Sequence, residues 1–306
     1  SGKGAALNNA LFRAKGEFFT PLDADSTIKE NALQEIIPNF ENSDVVVVLP
    51  LMKVKDPENL MQKIQWAEYL VNLFYKKLMS ILDCVHVAPG PFSTYRKQIL
   101  IDLGGFDKTN LTEDLEISLR LQKNHYKLVQ IFSTEVYTNA PKTFKEFYKQ
   151  RNRWYKGTIL NAFKYRKMAL NKSYGDFGFI QMPRILLESI LVVIAVLVIA
   201  YNNFIIPFIN KIQGFYLTDF NVTIPFSNFF ANFTFLDINY SNIFYAVIVT
   251  IFAMILVYIA HKHTKEPLAK YGIITIPSYL VFYSILASIV LFGVFYDLAR
   301  GKRQRW

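Results

Sequence analysis

The spacing of apolar residues changes character near residue 180. Upstream, short apolar runs alternate with amphipathic stretches; downstream, long apolar runs dominate. "EFFTPLD" (17–23) and "SDVVVVLPL" (43–51) have the length and apolar character of buried strands. "GKGAALNNALFRAKG" (2–16) and "TIKENALQEIIPNF" (27–40) read as helices, closed by Gly16 and Pro38. Strands alternating with helices, with unalternated apolar runs, predict an α/β layer architecture around a mostly parallel sheet. Residues 57–83 ("PENLMQKIQWAEYLVNLFYKKLMSILD") form a long amphipathic pattern, expected to pack on that sheet or to lie on a membrane surface.

Three apolar segments follow, at about 185–201, 243–260 and 271–296, the last interrupted by Pro277. Each approaches the ~20 residues that cross a bilayer core. The expected organisation is therefore an α/β part over 1–160, an interfacial connector over 161–182 and a membrane region over 183–306. The basic "HKHTKEPLAK" (261–270) predicts a cytoplasmic loop, while 203–241 has one Lys and sequons at Asn221, Asn232 and Asn239, as an outside loop would. Residues 1–181 are then cytoplasmic. Three full crossings would put the basic tail "ARGKRQRW" outside, against the positive-inside rule. Either one segment is re-entrant or interfacial, or the tail is an exception.

Charge and cysteine content narrow the class. The 306 residues carry a formal net charge of +10 without a nucleic-acid motif, so membrane flanks and phosphate-bearing substrates explain the surplus better than nucleic acid. A single cysteine, Cys84, rules out an internal disulfide framework and a multi-cysteine metal cluster. The chain opens without an initiator Met, in what reads as a helix N-terminus, so an upstream part is expected.

Chemistry concentrates at three places. Asp23 and Asp25 stand at a strand end, where open α/β sheets bind ligands, and their hard oxygens suit Mg²⁺ or Mn²⁺. A solvated acidic turn would look the same. In "LTEDLEISLRLQ" (111–122), Thr112 is a plausible N-cap, with Glu113 and Asp114 in the first helical turn. The preceding loop "DLGGFDKTN" could turn Asp114 toward a cleft, where it could accept a hydroxyl proton. In "FYKQRNRWYKG" (147–157), Arg153 could bind a diphosphate and Trp154 could offer a flat face to a sugar ring; a basic aromatic belt at the membrane is the alternative.

Taken in order, "KGAALNNAL", "LDAD", "TED" and "QRNRW", followed by membrane helices, resemble the family 2 membrane glycosyltransferases, among them cellulose, chitin, hyaluronan and poly-N-acetylglucosamine synthases. The resemblance runs from Lys3 through the membrane helices. It implies a GT-A fold, a UDP-sugar donor and a polysaccharide or lipid-linked acceptor at the bilayer of the plasma membrane, with an export partner as a further expectation. It implies that Lys3 lies near the nucleotide, that Asp23 and Asp25 hold metal and diphosphate, and that Asp114 is the general base, with Glu113 beside it. It further implies that Gln150, Arg153 and Trp154 bind the donor diphosphate and the acceptor glycan. "VAPGPFSTYRK" (87–97), with Gly90-Pro91 and Tyr95-Arg96, would line the acceptor site. The family's upstream nucleotide-binding strand does not occur in this chain. Transfer of one sugar to a lipid carrier, or a non-catalytic membrane scaffold, are the competing expectations.

Overall fold

A computed structural model describes residues 2–217, 240–264, 266 and 268–301. The sequons at Asn221, Asn232 and Asn239 and the end of the basic tail lie outside the described residues.

The sheet is organised by β3 (Val45–Val54), whose continuous apolar run is buried almost throughout. Beside it lies β5 (Lys127–Thr138), the only parallel neighbour among the five described strands. β4 (Thr94–Arg96) pairs antiparallel on the other side, and β1 (Phe18–Phe19) and β2 (Thr27–Ile28) close the edges antiparallel, giving the order β1-β4-β3-β5-β2. The sheet is thus mixed rather than mostly parallel: the edge strands are two residues long and reached without a helical crossover. Pro50 cannot donate to a ladder from the centre of β3. The β3–β5 register slips between Leu49 and Leu51, and the Gln130 amide donates to the carbonyls of Leu49 (3.3 Å) and Pro50 (2.9 Å).

Helices cover both faces. α1 (Lys3–Arg13), α4 (Lys97–Asp102) and α5 (Glu113–Lys123) enclose a core of Leu11, Val47, Tyr95, Leu100, Ile117 and Leu121. On the other face α2 (Ala32–Ile36) continues into a 3-10 turn (Ile37–Glu41) and packs Ile36 and Phe40 against Val48 and Val136. The helix expected over 57–83 is α3 (Leu60–Ile81), started by a capping box of Asn59 and Gln62. Its Trp66 and Leu70 meet Val54 on the sheet side and Val257 and Ala260 of an apolar helix on the other.

α6 (Phe144–Lys164) begins at a second capping box, Thr143 with Glu146, and runs across residue 160 without a break. α7 (Met182–Ala200) follows, its Met182 and Ile185 packed on Leu115, Ala162 and Tyr165. α8 (Ile206–Leu217), α9 (Tyr240–Thr264) and α10 (Leu268–Ala299) complete the described chain, α10 continuing through Pro277. Among the described residues, three stretches are long and apolar enough to span a membrane: Phe177–Ala195, Val247–Thr264 and Thr275–Ala299. They mark a membrane protein.

Candidate active site

The loop after β1 presents the two aspartates. Asp23 is partly exposed, and Lys3, at the start of α1, reaches it with Nζ 2.6 Å from Oδ1. The same ammonium lies 3.9 Å from Glu113 Oε1. Residues 20 and 110 positions apart in sequence thus meet at one cation. Gly90, from the segment expected to line the site, backs this pair: a Cβ there would come within 2.7 Å of Lys3 Nζ. Asp25 is exposed, and its charge is felt at Tyr69 on α3.

T-E-D opens α5. Thr112 occupies the N-cap position, but its hydroxyl does not cap the helix as expected. It accepts instead from Asn161 Nδ2 of α6 at 3.1 Å. Gly157, also on α6, lies directly against Thr112, and a Cβ on it would overlap that side chain. The start of α5 is therefore registered against α6 by close contact rather than by a local cap. Glu113 is buried, and its Oε2 has no hydrogen-bond partner. Burial, then the adjacent Asp114 carboxylate, push Glu113 above the ordinary glutamate range, while Lys3 and Arg153 pull it back in part. Asp114 is half-buried and accepts from the backbone N–H of Leu115 at 2.8 Å.

Arg153 donates to the Leu111 carbonyl at 3.3 Å, one residue ahead of T-E-D. Lys3, Asp23, Glu113, Asp114 and Arg153 therefore converge. Gln150 and Trp154 lie on the same helix as Arg153, and Gln150 Oε1 is a buried acceptor without a hydrogen-bond partner. Trp154 packs in the cluster that contains Tyr69.

Two groups near this site escape sequence reasoning. Arg151, inside the Q-x-x-R-W stretch, is almost sealed and pairs with Glu68 of α3 at 2.6 Å. Its guanidinium also lies 4.2 Å from the Trp154 ring centroid, bracing the indole from behind. A lone acid amid the apolar positions of "IQWAEYLVNLF" was the available signal. The second is Lys76 of α3, pushed down to about 8 by burial, with the negative charge of Asp114 acting in the opposite direction. It lies in a run of ordinary helix-surface lysines, so nothing in sequence singles it out.

These elements define a glycosyltransferase fold. A solved mannosyltransferase from Pyrobaculum calidifontis, in complex with GDP-Man and Mn²⁺, superposes on 99% of this chain and 68% of its own, with TM-score 0.53 at 16% identity. That likeness establishes a GT-A-like α/β fold. The profile of glycosyl transferase family group 2 matches residues 18–295, and the chain belongs to this family. A β-monoglucosyldiacylglycerol synthase of Trichormus variabilis is 26% identical over 57% of this chain, and a poly-β-1,6-N-acetyl-D-glucosamine synthase of Staphylococcus aureus is 27% identical over 51%. The chain spans 37% and 38% of the length of these two relatives.

Proposed function

We propose that this chain belongs to an inverting membrane glycosyltransferase that moves a sugar from a UDP-sugar to a growing polysaccharide. The observation that carries the reading is the meeting of Lys3, Asp23 and Glu113 around one ammonium, with Asp114 and Arg153 beside it. Two cations, Lys3 and Arg153, suit the charge of a sugar diphosphate, and the carboxylates beside them suit a bridging divalent cation and the proton of the attacking hydroxyl.

Lys3 and Arg153 bind the diphosphate and balance the charge that grows on it as the glycosidic bond breaks. Asp114 takes the proton of the acceptor hydroxyl as that oxygen attacks the anomeric carbon from the opposite face. Glu113 Oε2 and Gln150 Oε1 are buried acceptors without hydrogen-bond partners, so the site must rearrange around a bound sugar for either to accept from its hydroxyls. Trp154, braced by Arg151, supplies the flat surface for the acceptor ring.

Asp23 and Asp25 also fit a divalent cation. No group of three or more His, Cys, Asp or Glu that could hold a metal occurs among the described residues. Two carboxylates with the remaining ligands from phosphate are nonetheless a usual Mg²⁺ or Mn²⁺ arrangement. Bound there, the ion would supply Lewis-acid stabilisation of the leaving diphosphate. The Mn²⁺ in the mannosyltransferase complex supports this choice. The basic 261–270 stretch supports a cytoplasmic catalytic part at the plasma membrane.

Similarity to the glucosyldiacylglycerol synthase favours a second reading, transfer of one sugar to a lipid. Incubating the full-length membrane enzyme with a panel of UDP-sugars and Mg²⁺ or Mn²⁺, with mass spectrometry of the products, tests both. A ladder of oligosaccharides supports polymerisation and a single glycolipid supports the second reading. Absence of UDP release with every donor contradicts both.

A further inference from the structure

Helix α10 has 32 residues, about 48 Å at 1.5 Å per residue, and its Thr275–Ala299 stretch qualifies as a bilayer span by length and composition. A crossing helix leaves a water-side domain at one end and ends on the far side of a core about 30 Å thick. α10 is instead fastened to the catalytic part at both ends. Just ahead of it, Glu266 accepts from Trp66 Nε1 at 2.6 Å and pairs with Lys53 at 2.9 Å. Lys53 also donates to the Thr264 carbonyl at 2.8 Å. At the far end Asp297 Oδ2 pairs with the buried Lys156 of α6 at 2.9 Å.

Contacts continue between these anchors. Tyr271 meets Trp66 edge-on at 5.6 Å, and the Tyr283 hydroxyl lies 3.5 Å from that of Tyr155. Val290 and Val294 pack on Phe147. The Tyr148 hydroxyl touches the helix at Gly293, where a Cβ would overlap it. α6 itself carries Lys145, Lys149, Arg151, Arg153, Lys156 and Lys164, too many charges for hydrocarbon. The opposite face of α10 is an apolar stripe of Val281, Phe282, Ile285, Ile289, Phe292 and Tyr296, each at least 44% exposed. α7 and α9 carry exposed apolar side chains as well, among them Leu191, Ile194, Val249 and Phe252.

We propose that α10 does not cross the membrane. It lies in the surface layer of the bilayer, between the catalytic helices and the lipid acyl chains, with the 281–296 stripe facing lipid. The chain then crosses twice, through α7 and α9, and Arg300 emerges on the same side as the catalytic part. The basic 261–270 stretch and the "ARGKRQRW" tail then share one side, and the conflict with the positive-inside rule disappears. This inference does not depend on which sugar is transferred, or on whether one is.

Variants of the full-length protein that each gain one exposed cysteine, with the buried Cys84 left in place, test it in sealed vesicles. Glu30→Cys marks the catalytic part and Arg300→Cys the end of α10. Right-side-out and inside-out preparations are treated with a membrane-impermeant maleimide. Both variants are expected to label in the same preparation; labelling in opposite preparations overturns the proposal. Nitroxides on cysteines replacing Val281, Ile285, Ile289 and Phe292 read the depth directly. Nearly equal depths support a surface helix. A steady change of about 16 Å from 281 to 292, as an upright helix gives at 1.5 Å per residue, contradicts it, and so does a depth maximum in mid-helix.

Discussion

Two ion pairs near the candidate site illustrate opposite uses of the same chemistry. Lys3–Asp23 is about one-third exposed on each side chain, whereas Arg151–Glu68 is 2% and 7% exposed. At equal distance, 2.6 Å in each case, the surroundings decide what the pair does. The open pair is screened by water and contributes little to stability, so an incoming anion or cation can rearrange it. The sealed pair cannot be opened without leaving a bare charge in the interior, so it holds α3, α6 and Trp154 in one arrangement. On the proposed function, the first is a binding site at rest and the second is its frame.

The largest test of this contrast removes one half of the frame. Arg151→Met leaves Glu68 buried without its counter-charge and is expected to cost about 3–5 kcal/mol in denaturant unfolding. Adding Glu68→Gln should recover much of that loss; two single losses that simply add would show the pair to be uncoupled.

Next comes the seam between α5 and α6. Gly157→Ala forces Thr112 aside, and we expect about 1–3 kcal/mol of destabilisation with loss of sugar transfer. Unchanged thermal unfolding and activity would mean that the seam is looser than the structure shows.

A smaller effect concerns acid. Burial alone would raise Glu116, but hydrogen bonds from Arg120, Lys164 and Tyr165 outweigh it and hold its carboxyl below the usual glutamate range. Its folded pKa is depressed, so its contribution is present above the unfolded pKa and lost as pH falls through the folded one. Glu116→Gln should therefore flatten the loss of stability at acid pH, measured as the unfolding midpoint against pH. Smallest of all is the stability change in Lys3→Ala, under about 1 kcal/mol, because the pair it breaks is partly open to water and screened. UDP-sugar affinity should nevertheless fall clearly, by titration calorimetry, and an unchanged affinity would remove Lys3 from the site.

How much of this was legible beforehand differs by element. The Val45–Val54 run, the long amphipathic α3 and the α6 helix announce themselves through local periodicity, which the fold preserves. The mixed sheet does not, because β1 and β2 contribute two residues each and their antiparallel partners lie far along the chain. Thr112 has the local signature of a cap, but its hydroxyl is used by Asn161, 49 residues away. Glu68 and Arg151 are 83 residues apart, and neither looks unusual in its own helix beyond its charge. The candidate site was legible as motifs, and their convergence on Lys3 required the fold. The three apolar segments were legible as membrane-seeking, but the anchoring of both ends of α10 depends on Lys53 and Lys156, which apolar content cannot reveal.

The proposed chemistry rests most directly on Asp114. Asp114→Asn in the full-length enzyme keeps the size and shape of the side chain and removes the proton acceptor. Sugar transfer from a radiolabelled UDP-sugar is predicted to fall to background while UDP-sugar binding survives; transfer at the unmodified rate would contradict the assignment.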